Sequence, residues 1–328
     1  MKRIILKSVA AMLSFMFLVT ILVSCGGVPA SLTENGNGEN YDITTNFPLD
    51  LDPDSRLEHV GGAVKADTAD TVCVKLHYLT DDGYMVPVRK NIEKQSGIAR
   101  ACLELLVDGG ENRIELMKNG LVAPLPADSK FDIAIKNGEA IVDVKTETII
   151  DSEDRARDIV TAIVDTLIEF KTVECVSITI NGSRELTNLS VYLPEKSEQI
   201  PLNIEDSALM TAANTQEITL YFPNNSGSLL VPITRYIDAK PSIYAVVNAL
   251  AAGTALNGLI NVFPNGTLVL GAAQENGVLT VNLTKEFARI TEIDGMYDLA
   301  MQAVLFSAAP YTMIDEIRFT VNGEPFEP

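Results

Sequence analysis

Ile178-Thr179-Ile180-Asn181-Gly182 closes one block of sequence, and Phe319-Thr320-Val321-Asn322-Gly323 closes another near the C-terminus. Each is a short alternating strand that ends in Asn-Gly, the dipeptide suited to a tight turn with both residues at positive φ. Working backwards from each, the same order of elements recurs, so the chain contains a duplicated module. Ile218, Leu220 and Phe222 answer Val74, Leu76 and Tyr78. Val231-Pro232-Ile233 answers Val86-Pro87-Val88, a telling match because proline within a strand is uncommon. Asn276-Gly277 repeats Asn137-Gly138, and Val281-Asn282-Leu283 repeats Val142-Asp143-Val144.

Between these strands the apolar spacing changes to that of helices. Ile98, Cys102, Leu105 and Leu106 form one stripe, with Ser96 as its cap and Gly109-Gly110 as its stop. Ile159, Val160, Ile163, Val164 and Leu167 form another, opened by Asp151 or Ser152. In the second copy Ile243 to Leu250 and Tyr297 to Ser307 take these places. Each copy therefore reads β-β-α-β-β-α-β. Two helices with one apolar stripe each predict an α/β (α+β) two-layer sandwich, with both helices on one face of a mixed sheet of about four to five strands.

The expected organisation follows from these limits. Residues 1–25 form a signal peptide, 26–70 a polar tether, 71–183 the first module, 184–215 a connector and 216–328 the second module. In the signal, Lys2, Arg3 and Lys7 precede an apolar run from Ile4 to Val23, followed by Ser24-Cys25-Gly26-Gly27. Leu22-Val23-Ser24-Cys25 is similar to a bacterial lipobox, which implies that Cys25 is diacylated and becomes the first mature residue. Two acyl chains anchor durably, since each buried methylene contributes about 0.8 kcal/mol. Cleavage removes three positive charges and takes the net charge from −19 to −22. Such acidity excludes nucleic acid and electrostatic docking on an anionic bilayer. Asp50-Leu51-Asp52-Pro53-Asp54 lacks the later Gly and Glu of a calcium loop, so it reads as acidic linker.

The chain resembles the GerM family of sporulation and spore-germination lipoproteins, in the form with two tandem GerM domains behind a lipobox. Leu76-His77-Tyr78 with Val86-Pro87-Val88, the Pro126 to Val144 region and Ile178 to Gly182 carry the resemblance. Leu220-Tyr221-Phe222, Val231-Pro232-Ile233, Pro264 to Leu283 and Phe319 to Gly323 repeat it. The resemblance implies a scaffold on the extracytoplasmic face of the cell membrane, held to lipid by Cys25. Its partners would be other envelope proteins or further copies of itself, and its modules would be similar to the ring-building modules of secretion machines.

Chemistry is sparse. Cys102 lies on an apolar stripe where the second copy has Val247 and reads as core. Cys73 and Cys175 fall on the polar side of their strands, where the second copy has Glu217 and Glu316. A disulfide between them requires their strands to be neighbours, and a sequence does not give register. Cys73 and His77 lie roughly 13 Å apart along a strand, too far for a catalytic dyad. Asp151, Glu153, Asp154 and Asp158 suit the positive end of a helix better than acid–base work, and Asp315 and Glu316 simply lead into a strand. The expectation is a protein that is not an enzyme and holds no metal or cofactor. The alternative is an envelope lipoprotein that binds cell-wall glycan or a small solute, against which stand the absence of Trp and an aromatic content of 6%.

Overall fold

Alternating β-branched residues and Asn-Gly turns shape each copy of the module. The computed structural model describes residues 71–328 except 207–208, 211–214 and 239. The signal peptide, Cys25 and the tether lie outside the described residues. The first copy opens with strands β1 (Thr71–Thr80) and β2 (Met85–Glu93), an antiparallel hairpin. Helices α1 (Ile98–Leu105) and α2 (Gly110–Lys118) follow, then β3 (Leu121–Val122), which pairs with the end of β1. Strands β4 (Lys130–Lys136) and β5 (Glu139–Lys145) form a second hairpin. Helix α3 (Glu153–Ile168) then crosses over to β6 (Cys175–Ile180), parallel to β5.

The second copy repeats this order without counterparts of α2 and β3 among the described residues. Strands β9 (Gln216–Pro223) and β10 (Leu230–Ile237) form the hairpin, and α4 (Ile243–Ala251) follows it. Strands β11 (Val269–Glu275) and β12 (Val278–Leu283) come next, then a 3-10 segment (Lys285–Glu292) and α5 (Met296–Ala308). Strand β13 (Glu316–Val321) runs parallel to β12, and β14 (Glu324–Pro325) ends the sheet. Pro87 faces His77 across the first hairpin, and Pro232 faces Tyr221 across the other, so the prolines occupy equivalent ladder positions.

The Asn-Gly dipeptides fix the closing strands in the same way twice. The Gly138 carbonyl accepts from Glu174 N at 2.7 Å and Cys175 N at 3.2 Å; the Gly277 carbonyl accepts from Asp315 N and Glu316 N at the same two distances. Asp143 Oδ1 accepts from Gly182 N and Thr179 Oγ1, and Asn282 Oδ1 accepts from Gly323 N and Thr320 Oγ1. In all four dipeptides Asn and Gly both have positive φ, as the turn requires.

The mixed α+β character is as the sequence implies, but hydrogen bonding divides the strands of each copy between two small sheets. One is the β1–β2 or β9–β10 hairpin with its additions; the other is the mixed sheet β4–β5–β6 or β11–β12–β13–β14. The edges that would join them are taken. β3 occupies the far edge of β1, and Ser197 bridges to Val176 on the outer edge of β6. In the second copy Ile260 N donates to Pro223 O at the end of β9, and β14 covers β13.

The helices are likewise not confined to one face. Leu76 through Thr80 are buried without a break, which requires cover on both sides of β1. Thr166 of α3 meets His77, while the hydroxyl of Tyr78, pointing the opposite way, donates to Leu105 O at the end of α1.

Two local expectations change. Gly97, not Ser96, is the first cap of α1, at φ 80°. Gly109-Gly110 does not end helical structure but opens α2. Asn112 of that helix donates from Nδ2 to Leu105 O and Val107 O, closing the end of α1. Ile114 and Met117 stay exposed there, so α2 carries no apolar stripe to read.

The connector is a strap between modules. It begins as a small hairpin of β7 (Glu185–Leu186) and β8 (Val191–Tyr192). Further on, residues 202–205 lie between the edges of β2 and β10. Asn203 Oδ1 accepts from Met85 N at 2.9 Å, while its Nδ2 donates to Met85 O and Pro232 O, each at 2.7 Å. Thr234 N donates to Leu202 O, and Glu205 N to Thr234 O. Glu205 then pairs with Arg235, whose guanidinium also donates to Ala249 O and Gly253 O at the end of α4. The hairpin turns complete the contact: a Cβ on Gly258 would meet Asp82 at 2.5 Å, and one on Gly120 would meet Ser228 Oγ at 3.4 Å. Each turn thus rests on a loop of the other module.

Two stability tests follow from these contacts. Asn203→Ala leaves the backbone groups of Met85 without their strap partner, and urea denaturation should show a loss of about 1–3 kcal/mol. Gly277→Ala combines a left-handed backbone with a Cβ only 2.0 Å from Asp315 Oδ2, whereas a Cβ on Gly138 would stand 3.1 Å from the longer, more yielding Glu174. Thermal melts should therefore show the greater loss for Gly277→Ala, with Gly138→Ala nearer the roughly 1 kcal/mol of backbone strain alone.

Candidate functional site

Helix α3 begins at Ser152, whose side chain accepts from Arg155 N, and carries Glu153 and Asp154 in its first turn against the helix dipole. The carboxylates Asp151, Glu153 and Asp154 are exposed, and Asp154 pairs with Arg157 at 2.9 Å. They cap and solvate the helix, as expected. Further along, the segment Ile163-Val164-Asp165-Thr166-Leu167 is buried throughout. Thr166 Oγ1 accepts from His77 N at 3.1 Å and lies 3.4 Å from His77 Nδ1. Burial, with help from the Lys75 charge, pushes the imidazole pKa down to about 3, so His77 is neutral. Helix α3 thus covers the side of β1 that carries His77.

Asp165 is the unusual member. It is 1% exposed, and among the described residues neither carboxyl oxygen has a hydrogen-bond partner. Burial, reinforced by the Glu169 charge and opposed by Lys75, pushes its pKa up to about 7. Asp165 lines a groove of about 430 Å³ between α3 and the connector. The walls are mostly aliphatic, including Val160, Val164, Leu193 and Ile200, with the exposed Tyr192 at the rim. The three nearby cations are already committed: Lys75 to Glu169 at 3.0 Å, Arg157 to Asp154, and Lys196 to Glu139 at 2.8 Å. An acidic residue inside an apolar helical stripe was the sequence signal for this site.

The second module lacks it. Tyr221 N donates to Ser307 Oγ at 2.9 Å, the counterpart of His77 with Thr166. Phe306 therefore stands where the first copy has Asp165, and its ring packs on Tyr221 with centroids 5.5 Å apart.

The cysteines stay apart. Cys73 on β1 faces Asn91 and Cys175 on β6 faces Glu139, in separate sheets, and no disulfide joins them. Cys102 is fully buried, and burial pushes its thiol up to about 12. Asp315 and Glu316 lead into β13 as expected. Among the described residues no group of three or more His, Cys, Asp or Glu is arranged to hold a metal ion, and no helix is long and apolar enough to cross a membrane.

The family described as Germane, sporulation and spore germination, matches this chain twice, at residues 75–186 and 219–327. The chain belongs to the Germane family. Spore germination protein GerM of Bacillus subtilis (strain 168) is 32% identical over 274 residues, which span 79% of this chain and 74% of GerM. The solved tandem GerMN domains of the sporulation protein GerM from Bacillus subtilis share the fold, with a TM-score of 0.54 and 24% identity over 77% of this chain and 92% of that one. The tandem Germane arrangement read from the repeated strands is therefore correct. Asp165 belongs to the first Germane module, and its groove lies between that module's α3 and the connector.

Asp165 should make the stability of this module depend on pH. Its folded pKa lies above the unfolded value of 3.8, so the proton it retains stabilises the fold at low pH, and that contribution fades as pH rises through about 7. Asp165→Asn removes this titration. In urea denaturation, the stability gained by the Asn variant over wild type should be about 3 kcal/mol larger at pH 8 than at pH 5.

Proposed function

We propose that this Germane protein is a lipid-anchored scaffold on the extracytoplasmic face of the cell membrane, acting in sporulation or spore germination through protein–protein contacts. The observation that carries this reading is the identity to a spore germination protein along most of both chains, joined to a shared two-module fold. The lipobox ending in Cys25 supports the anchor, and the polar residues 26–70 supply reach from the bilayer.

Two edges suit protein contact. Among the described residues strand β4 pairs only with β5 and β11 only with β12, so apart from Phe131 O, which accepts from Arg100, and Val269 O, which accepts from Tyr244, each offers backbone groups to another chain. Beside β11 the side chains of Leu268, Leu270 and Tyr244 are exposed. The matched relative's name, spore germination protein, is not that of an enzyme, which supports a non-enzymatic role.

The rival reading, an envelope lipoprotein that binds glycan or a small solute, draws on the α3 groove. That groove offers a single exposed aromatic, Tyr192, where sugar binding favours stacked rings.

Cells lacking the gene, complemented with wild type or with Cys25→Ala, provide the test. The wild type should incorporate labelled palmitate and partition with membranes, and the null strain should lose spores or germinate poorly. The Cys25→Ala protein should take up no label and leave the membrane fraction. Normal sporulation and germination in the null strain, or wild-type protein soluble in the cytosol with an unmodified Cys25, would sink the reading. Specific retention of the pure protein on peptidoglycan would favour the rival.

A further inference from the structure

We propose that the groove between α3 and the connector receives a lysine side chain from a partner protein, with Asp165 as its counter-ion. The proposal rests on the scaffold reading for the existence of a partner and adds that partner's chemistry. Four features of the site converge on it.

First, Asp165 is a buried carboxyl whose oxygens lack donors, and such groups are costly unless paired. Both oxygens are shielded from bulk solvent, so an incoming group reaches them only after the groove lining moves. Second, among the described residues no cation is hydrogen-bonded to Asp165, and Lys75, which acts on it through its charge, is paired with Glu169. Around the site stand Lys75 from β1, Glu153, Arg157 and Glu169 on α3, and Lys196 and Glu198 from the connector, with neutral His77 beside the neighbouring Thr166. Each of the three cations already has its own carboxylate. Third, the aliphatic walls of Val160, Val164, Leu193 and Ile200 suit a methylene stem better than a polar ligand. Lysine combines such a stem with a compact ammonium, whereas the planar guanidinium of arginine demands a wider polar fork. Fourth, the net charge of −19 draws basic partners.

Entry of the ammonium requires a rotamer change in the groove lining, a common adjustment when partners bind. Exposed Tyr192 at the rim lies where it can cover the backbone of the incoming segment. In the second module the carboxyl is replaced by Phe306, so only one of the two modules would take this contact. The duplicated modules have thus divided their work.

The test uses the full chain in detergent micelles and the blocked peptide acetyl-Val-Lys-Val-amide, followed by calorimetry and by the carboxyl carbon resonance of Asp165. Saturable binding is expected, with the Asp165 resonance moving to its ionised position. Replacing lysine by norleucine, which keeps the stem and removes the charge, should weaken binding at least tenfold. So should Asp165→Asn. Because the ammonium binds the ionised carboxylate, affinity should fall about tenfold from pH 8 to pH 6 in wild type and stay level in the Asn variant. Absence of saturation by about 10 mM peptide, equal binding of the norleucine peptide, or undiminished binding by Asp165→Asn would each overturn the proposal. Free n-butylamine binding as tightly as the peptide would also overturn it, by making the ligand a small amine. Peptide binding that survives while Cys25 proves unmodified would spare the groove and remove only the envelope reading.

Discussion

One carbonyl in each module governs the rest. Gly138 O and Gly277 O each take two N–H groups from the chain as it enters the closing strand, and this sets the parallel register of β6 on β5 and of β13 on β12. A parallel pair cannot be joined by a tight turn, so a crossover helix must lie between them. That requirement places α3 and α5, and through them the cover on β1 and β9. The Asn-Gly turn matters for this reason: its double positive φ points the glycine carbonyl toward the incoming strand. Asp143 and Asn282 then close the far end of each strand by the same pair of hydrogen bonds.

The two modules use this common frame differently where helix meets hairpin. Thr166 and Ser307 make the same hydrogen bond to a strand N–H, so their neighbours are strictly comparable. In the first module those neighbours are His77 and Asp165; in the second they are Tyr221 and Phe306. An aromatic pair gains from burial directly, whereas a buried imidazole and carboxyl lose hydration. His77 responds by staying neutral and leaning on Thr166. Asp165 has no such partner among the described residues and holds its proton up to about pH 7.

The strap shows how two small modules avoid exposed edges at their junction. β2 and β10 each carry a proline, which removes one ladder donor, and residues 202–205 supply a substitute partner for what remains. Asn203 serves both modules at once, since Nδ2 reaches Met85 O and Pro232 O from one side chain. Arg235 and Glu205, largely shielded from solvent, extend the tie to the end of α4. The outer edges β4 and β11 have no equivalent cover among the described residues.

Local pattern was enough to recover the duplication, the longer strands and the main helices, because turn dipeptides and apolar periods act over a few residues; the family came from the resemblance of those stretches to GerM domains. Val74, Ile218, Pro87, Pro232 and the four Asn-Gly pairs were legible on that ground. Helix α2 was not, since it buries Leu116 and little else, and its Gly-Gly start resembles a stop. The Cys73 and Cys175 pairing failed for a different reason: whether two strands become neighbours depends on which edges are already filled. The burial of His77, the loneliness of Asp165 and the strap at Asn203 belong to the same class. By itself the sequence determined which elements form and that they form twice; only tertiary structure decided which faces and edges meet, because burial and hydrogen-bond partnership depend on distant chain segments that no local period encodes.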